Sequence, residues 1–434
     1  MILAEISFNS IFRGLLGIAF CVGLAWLVSE KRKNISWYTV GIGLLIQLII
    51  AILILQVGWI EHIFDWLGKA FVKVISFTDF GISFLMDSFV TQKMEPSLIN
   101  FAFTVLPKIV FFSALSAILY YYGILQFFVK IFARIMGKLM RLSGAESLSA
   151  AANIFMGQTE SPLLIKPYLR NMTRSELMAM MTGGMATIAG SVLASYIAFL
   201  GGDSSQEQVL FAKHLLTASV LSAPAAMVAA KIIVPETKAI AKKAQIADEI
   251  KSANVLEAIT NGTTDGLKLA INVGAMLLVF TALVYLGNYL LFWTGDLTGI
   301  NNWIALNTGY SELSFQFLVG YLGAPIAWMI GVPAEDMVLV GQLLGEKTIL
   351  NEFYAYVTMG ELKANGAFVH EKSMIMATYI LCGFANIASI GIQVGGIGAL
   401  VPERKGELSQ LGLKALIAGT LACLFTACLV GIFY

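Results

Sequence analysis

The sequence predicts an all-α polytopic membrane protein: eight transmembrane helices plus two re-entrant hairpins in an inverted repeat, with amphipathic interfacial helices. Three observations lead to this prediction. Apolar residues make up 58% of the 434 residues and charged residues only 13%, where about 25% charged is usual in soluble domains. Long apolar runs recur along the whole chain. Between them lie apolar segments interrupted by glycine, amide and carboxylate side chains.

Apolar runs of sufficient length define the predicted crossings. A helix needs about 20 mostly apolar residues to cross a bilayer. Eight runs meet this requirement: 11–28, 37–59, 98–129, 177–200, 209–234, 266–293, 373–400 and 411–434. The first run is followed by three cations at 31–33. A signal peptide carries its positive charge before the apolar region, so we interpret this run as a retained span.

The distribution of lysine and arginine predicts how the crossings are oriented. If the N-terminus lies outside, the inward loops are 30–36, 130–141, 235–251 and 402–414. These loops hold 14 lysines and arginines, whereas the outward segments hold 5. Short cytoplasmic loops carry such an excess of cations. We therefore expect a multi-pass protein of the cell (inner) membrane with both termini outside.

Two segments are typical of helices that lie at the membrane surface. Lys130, Arg134, Lys138 and Arg141 are spaced by four, four and three residues, which places four cations on one helical face. A basic amphipathic helix of this kind lies at the cytoplasmic headgroup boundary. Segment 61–93 alternates aromatic with charged residues, and it predicts an amphipathic helix on the outside.

Charge and cysteine usage exclude several classes of function. A net charge of +1 gives no support to a nucleic-acid partner. The four cysteines all lie inside apolar runs and lack metal-ligand spacing. We interpret them as small hydrophobic residues rather than a disulfide framework.

An internal repeat indicates a transporter. The segments 184–190 (GMATIAG) and 383–389 (GFANIAS) match at four positions, and each is followed by one further span. Each is also preceded by an interrupted segment that contains Gly-Gln, at 157–158 and at 341–342. In the predicted topology the first copy starts inside and the second starts outside. Inverted repeats with broken helices, holding substrate near the midplane, are typical of secondary transporters.

The interrupted segments predict two re-entrant hairpins. In 147–166, apolar arms flank a polar apex, and 331–353 has the same character. Irregular backbone at membrane depth is tolerated only where it is buried in protein or lines a wet cavity. Carboxylates at this depth are costly and usually functional. Glu160 is therefore a candidate functional residue, whereas Glu352 is equally compatible with a helix-end role.

The glycine-rich spans contribute further polar groups. Thr187 lies in the first, and Phe384, Asn386 and Ser389 lie in the second. An aromatic ring beside an amide and a hydroxyl can bind a flat, polar, uncharged molecule. These residues alone leave a sugar, a nucleoside and an amino-acid amide open as substrates.

These motifs resemble the concentrative nucleoside transporter family along nearly the whole chain. The resemblance is densest at 145–153, 157–162, 183–190, 351–353 (NEF) and 382–386 (CGFAN). It implies a sodium-driven importer of nucleosides that assembles as a homotrimer in membrane lipid and works by an elevator-like shift of a transport domain. Residues 1–129 would form scaffold spans one to three with the external helix, and 235–295 the cytoplasmic loop and scaffold span six. Residues 130–234 and 296–434 would form the two repeats of the transport domain.

The resemblance also implies the site residues. The substrate set is Gln158, Thr159, Glu160, Val192, Gln342, Phe384, Asn386 and Ser389. The first hairpin would face the nucleobase, while the seventh span and a second-hairpin carboxylate would handle the ribose. In the family pattern that second-hairpin residue is a glutamate, and we align it with Gln342. Because an amide accepts hydroxyl hydrogen bonds less strongly than a carboxylate, we expect weakened ribose recognition.

The coupling ion would be sodium, with no other cofactor. The family pattern maps its site to Asn153, Met156, Thr187 and Ile188. Oxygen ligands suit a hard cation, and proton-coupled relatives tend to lack the asparagine.

Three alternatives remain at this stage. Glu160 is ionisable, which leaves proton coupling open. A passive channel is disfavoured by the inverted broken repeat. An intramembrane enzyme is disfavoured because the chain has no His-Glu-x-x-His or Gly-x-Ser-x-Gly pattern, and its three histidines are scattered.

Overall fold

The computed structural model describes residues 7–88, 91, 93–202, 204–241 and 252–434. Most of them are helical, and part of the predicted inward loop, 242–251, lies outside the described residues. The helices in the first half are α1 (Phe8–Leu27), α2 (Trp37–Gln56), α3 (Gly58–Met86), α4 (Phe101–Thr104), α5 (Leu106–Tyr121), α6 (Ile124–Leu139), α7 (Gly144–Ala152), α8 (Lys166–Leu169), α9 (Arg174–Ala186), α10 (Gly190–Gly201) and α11 (Ser205–Ile233). Those in the second half are α12 (Val255–Thr298), α13 (Ile300–Asn307), α14 (Phe315–Met329), α15 (Met337–Ile349), α16 (Glu352–Ala364), α17 (Glu371–Leu381), α18 (Ile387–Leu400) and α19 (Lys405–Val430).

Apolar helices of membrane-spanning length occur at seven places in the described part of the chain. They are α1, α2, the α4–α5 run, the α9–α10 run, α11, α12 and the run that ends with α19. The predicted seventh crossing, 373–400, is divided between α17 and α18, each too short to span alone. The prediction of an all-helical membrane protein is confirmed by this architecture.

The predicted third span, 98–129, was too long. Helix α5 ends at Tyr121, and Gly123 adopts the left-handed conformation at φ 78° before α6 begins. Apolar residues continue through this turn, so composition alone could not locate it. On α6, Val129, Ala133 and Met136 are buried, while the four predicted cations from 130 to 141 are exposed.

Burial divides the helices into two groups. Most residues of α9 to α11 and α19 are buried, whereas α5 is mainly half-buried and α12 is mostly half-buried or exposed. Helices α5 and α12 pack closely because glycines remove side chains from their contact. A Cβ on Gly262 would lie 2.7 Å from Ala117, and one on Gly266 would lie 2.7 Å from Ser113. Small residues at such contacts let membrane helices approach each other.

Each repeat contains one hairpin. The first consists of α7, a turn, a 3-10 segment at Ser161–Ile165 and α8. In the second, α15 and α16 are joined by the two residues Leu350 and Asn351. The broken spans α9–α10 and α17–α18 have interruptions at 187–189 and 382–386.

The two interruptions lie against each other. The backbone N of Phe384 donates to the carbonyl of Thr187 at 3.3 Å. A Cβ on Gly383 would lie 2.8 Å from the carbonyl oxygens of Met185 and Ala186. Only glycine lets the two backbones come this close, so the repeats meet at their irregular segments.

Candidate functional site

The second hairpin and the second broken span meet at a buried carboxylate. Glu352 is the first residue of α16, and Asn386 is the N-cap of α18. Nδ2 of Asn386 donates to Oε2 of Glu352 at 2.7 Å, and its Oδ1 accepts from the backbone N of Ser389 at 2.8 Å. The hydroxyl of Tyr196 on α10 donates to Oε1 of Glu352 at 3.3 Å. Because Tyr196 belongs to the first repeat, both repeats hold this carboxylate.

Gln342, which the family pattern placed at the ribose, is bonded to other protein side chains. It lies inside α15, where its Oε1 accepts from the hydroxyl of Tyr310 at 2.8 Å and its Nε2 donates to Glu346 at 2.9 Å. The sequence comparison paired Gly341-Gln342 with Gly157-Gln158. Only the latter pair lies in a hairpin turn, so the match does not join equivalent positions. The second-hairpin carboxylate beside Asn386 is Glu352.

The first hairpin meets the second broken span through amide side chains. Nε2 of Gln158 donates to Oγ of Ser389 at 3.2 Å. Oε1 of Gln158 accepts from Nε2 of Gln393 at 3.1 Å, and the same nitrogen donates to the carbonyl of Met181 at 3.0 Å. Gln158, Ser389 and Gln393 are all buried, so the chain of hydrogen bonds is shielded from water.

The remaining predicted substrate residues surround these two clusters. Thr159 and Glu160 are exposed at the turn of the first hairpin, and Oε2 of Glu160 accepts from the backbone N of Gly157 at 3.1 Å. Val192 is buried in the first turn of α10. Phe384 is half-buried in the interruption between α17 and α18.

Asn153 is a candidate cation ligand. It caps the end of α7 and is fully buried, yet neither its Oδ1 nor its Nδ2 has a hydrogen-bond partner. A Cβ on Gly183 of α9 would lie 3.0 Å from that Nδ2. The hydroxyl of Thr187 donates to the carbonyl of Gly183 at 2.9 Å, which leaves the hydroxyl lone pairs free. Asn153 and Thr187 therefore approach the same stretch of α9.

Met156 and Ile188, the other two predicted sodium ligands, occupy the hairpin turn and the first interruption. Met156 is half-buried, whereas Ile188 is buried. Within the described residues, no group of three or more His, Cys, Asp or Glu could hold a metal ion. The candidate site thus depends on amide, hydroxyl and carbonyl oxygens.

Sequence reasoning missed Gln393 and Tyr196, and it left Glu352 undecided. A signal for Gln393 was available, because Asn386, Ser389 and Gln393 follow one another at i, i+3 and i+7. Residues at this spacing share one face of a helix. Tyr196 carried no comparable signal, since its partner lies 156 residues away.

Comparisons with known proteins connect the chain to one group of transporters. Three family models match the chain: "Na+ dependent nucleoside transporter N-terminus" at 16–89, "Nucleoside recognition" at 102–203, and "Na+ dependent nucleoside transporter C-terminus" at 214–431. An uncharacterized transporter of Haemophilus influenzae is 40% identical, and the match covers 98% of each chain. Human solute carrier family 28 member 3 is 40% identical over 96% of this chain and 59% of its own length. This chain thus spans about three fifths of that human relative.

Solved structures show the same fold. CNTnw in an inward-facing substrate-bound state has a TM-score of 0.86 and 37% identity, with 98% of this chain and 99% of that chain covered. A CNTnw variant in an intermediate state has a TM-score of 0.87 and 36% identity, with the same coverage.

The fold and its broken repeats define a polytopic membrane transporter. The family models and the relatives identify its family, and they are transporters rather than enzymes. The chain belongs to the Na+ dependent nucleoside transporter family.

Proposed function

We propose that this protein imports nucleosides across the cell membrane together with sodium. The observation that carries the proposal is the buried set of polar groups shared by both hairpins and the second broken span: Gln158, Glu352, Asn386 and Ser389. A carboxylate, two amides and a hydroxyl suit a neutral molecule with several hydroxyl groups and a polar ring. Within this proposal, Glu352, Asn386 and Ser389 bind the ribose.

The nucleobase then lies toward the first hairpin. Gln158, Thr159 and Glu160 stand at its turn and supply donors and acceptors for the edge of the base. Phe384 and Val192 supply apolar contact for the rings. Aromatic side chains favour offset or edge-to-face contact with another ring.

Sodium is the proposed coupling ion, held by Asn153, Met156, Thr187 and Ile188. Supporting this, Asn153 is buried with no partner for its Oδ1. A buried polar group without a partner costs about 1–3 kcal/mol. A sodium ion would supply the missing partner, and its charge would favour oxygen ligands of this kind.

An elevator-like movement fits the division between exposed and buried helices. We propose a scaffold formed by 1–129 and 235–295, and a moving transport domain formed by 130–234 and 296–434. The polar groups that bind substrate and sodium all lie in the transport domain. The glycine contacts between α5 and α12 keep two scaffold spans together during the movement.

Assembly and orientation complete the proposal. The protein forms a homotrimer in the inner membrane with both termini outside. The exposed apolar residues of α12 are available to lipid and to neighbouring copies. The excess of cations in the proposed inward loops supports the orientation.

Uptake by purified protein in proteoliposomes tests the proposal. Labelled uridine would be supplied under a sodium gradient alone, a proton gradient alone, both, or neither. We expect accumulation whenever the sodium gradient is present, and its loss when an ionophore collapses that gradient. Accumulation under the proton gradient alone would transfer coupling to the proton alternative, with Glu160 as its candidate carrier. Uptake under no condition would contradict nucleoside transport itself.

A further inference from the structure

Gln393 of α18 contacts the turn of the first hairpin through Gln158. It is fully buried on α18, and it is not among the site residues expected from the sequence. Its Nε2 donates to two acceptors, the carbonyl of Met181 at 3.0 Å and Oε1 of Gln158 at 3.1 Å. Its own Oε1 has no partner.

The Met181 carbonyl determines which way the Gln393 amide points. A backbone carbonyl can only accept hydrogen bonds, whereas a side-chain amide has one accepting and one donating end. The reversed amide of Gln393 would place its oxygen against the Met181 oxygen, with no hydrogen between them. The nitrogen must therefore face Met181, even though this leaves Oε1 without a partner.

The orientation passes from Gln393 to Gln158. Because Gln393 presents N–H groups, Gln158 must turn its oxygen toward Gln393 and its nitrogen toward the site. One N–H of that nitrogen is used by Oγ of Ser389 at 3.2 Å. The second N–H has no protein acceptor among the hydrogen bonds of the described residues. It is available to the substrate.

Close packing keeps the two glutamines in contact. A Cβ on Gly184 of α9 would lie 2.7 Å from Nε2 of Gln393 and 2.9 Å from Cβ of Gln158. It would also lie 3.2 Å from Cα of Gln158, where the backbone cannot yield as a side-chain end could. Glycine at 184 thus permits the hydrogen bond that orients Gln158.

We propose that Gln393 is a positioning residue that holds Gln158 as a hydrogen-bond donor to the nucleobase, so that the protein favours bases with a carbonyl over bases with an amino group at the contacting edge. The inference rests on the proposed nucleoside transport. Uridine and cytidine differ at this edge by a carbonyl against an amino group, as do inosine and adenosine. Uridine should therefore bind more tightly than cytidine, by about two- to tenfold for one neutral hydrogen bond.

The test compares inhibition of labelled uridine uptake by unlabelled uridine and by cytidine, in proteoliposomes under a sodium gradient. Gln393→Met keeps the length of the side chain but removes its donors, which frees the Gln158 amide to turn over. The cytidine-to-uridine ratio of inhibition constants should fall toward one. In a Gln158→Met background, Gln393→Met should change the ratio no further, because the residue acts through Gln158. Ile397→Val, a buried change one turn along α18, is the matched control and should leave the ratio unchanged.

Gly184→Ala provides a second route, since it separates the two glutamines without removing either. It should lower the ratio in the same direction. An equal affinity of the wild-type protein for both nucleosides would overturn the inference, as would an unchanged ratio in Gln393→Met. If neither variant elutes as folded protein, Gln393 is structural support only and the inference fails. Absence of any sodium-driven uptake by the wild type is a different result, which contradicts the proposed function instead.

Discussion

The first arms of the two hairpins end at chemically different buried side chains, an asparagine in the first hairpin and a lysine in the second. The first arm of hairpin one ends at Asn153, which is buried with both amide atoms unpartnered. The last turn of the first arm of hairpin two carries Lys347, also fully buried. Its Nζ donates to the carbonyl of Ile380 at 2.8 Å and lies 3.3 Å from Sγ of Cys423. One repeat has a buried amide side chain without a hydrogen-bond partner at this place, and the other has a buried lysine.

This difference indicates how each repeat satisfies a broken span. A helix that stops inside an apolar region leaves carbonyls of its last turn without intrahelical donors. Near the end of α17, the Lys347 ammonium supplies the donor. Near the end of α9, the donor to the Gly183 carbonyl is instead the neutral hydroxyl of Thr187, and sodium is the cation proposed there.

The largest expected effect comes from removing the buried ammonium group of Lys347. Lys347→Met would leave the Ile380 carbonyl without its donor in a dry interior. Together with the lost charge, we expect at least a hundredfold loss of uridine uptake and a lowered unfolding temperature in detergent. Lys69→Met removes an exposed lysine of α3 and should leave both unchanged. Full uridine uptake by Lys347→Met would contradict the idea that this lysine stabilises the broken span α17–α18.

Asn153→Leu tests the unpartnered amide at the end of the first arm of hairpin one. The leucine cannot supply an oxygen ligand, so uridine binding should lose its dependence on sodium while the protein stays folded. Isothermal titration with and without sodium measures this directly. The control is Ser222→Ala on α11, another buried side chain whose oxygen has no partner. If the variant keeps a normal sodium response, the ion binds elsewhere.

Glu352→Gln tests which second-hairpin residue contacts the sugar. It keeps the shape but removes charge-assisted hydrogen bonds, worth roughly 1.5–3 kcal/mol each. The affinity for uridine should fall by about tenfold to a hundredfold, and 2′- or 3′-deoxyuridine should be discriminated less. Gln342→Glu should change neither quantity, because Gln342 is engaged with Tyr310 and Glu346. The reverse result would restore Gln342 as the ribose contact.

The smallest effect concerns a surface ion cluster that ties both repeats to the loop after α1. Arg174 at the start of α9 and Lys414 on α19 contact Glu30 at 2.9 and 2.6 Å. Hydrogen bonds from Arg174, and then from Lys414, lower the pKa of Glu30 to about 2. Stabilisation by a carboxylate of lowered pKa is present above its unfolded pKa and is lost as pH falls toward the folded pKa. The unfolding temperature of wild type should therefore drop between about pH 4.5 and about pH 2.

Glu30→Gln should show a smaller drop over that range, and the difference between the two curves isolates Glu30 from other carboxylates. Asp265→Asn, at an exposed position on α12, serves as the control and should follow the wild-type curve. Parallel curves for wild type and Glu30→Gln would mean that the repeats are held to this loop by buried contacts alone.

Several features of the fold followed from sequence because they depend on local composition. Apolar runs of bilayer length predicted the crossings, and the matching segments 184–190 and 383–389 do lie at the two helix interruptions. The turn at Gly123 was not predictable in this way, because its neighbours are as apolar as the spans they separate. The same limit applies to Gln342, whose Gly-Gln dipeptide resembled a turn but folded inside α15.

For the candidate site, the sequence by itself determined the polar residue types and the two broken segments that carry them, because a polar side chain inside an apolar run is visible without any folding. It named Asn386 and Ser389 but missed Gln393, although the spacing of all three along one helix is a local signal. Only the tertiary structure decided that Glu352 meets Asn386, that Gln393 orients Gln158, and that Lys347 reaches Ile380. These contacts join residues 33 to 235 positions apart. No local pattern encodes such pairings, because they depend on how whole helices pack and on which small residues let their backbones approach.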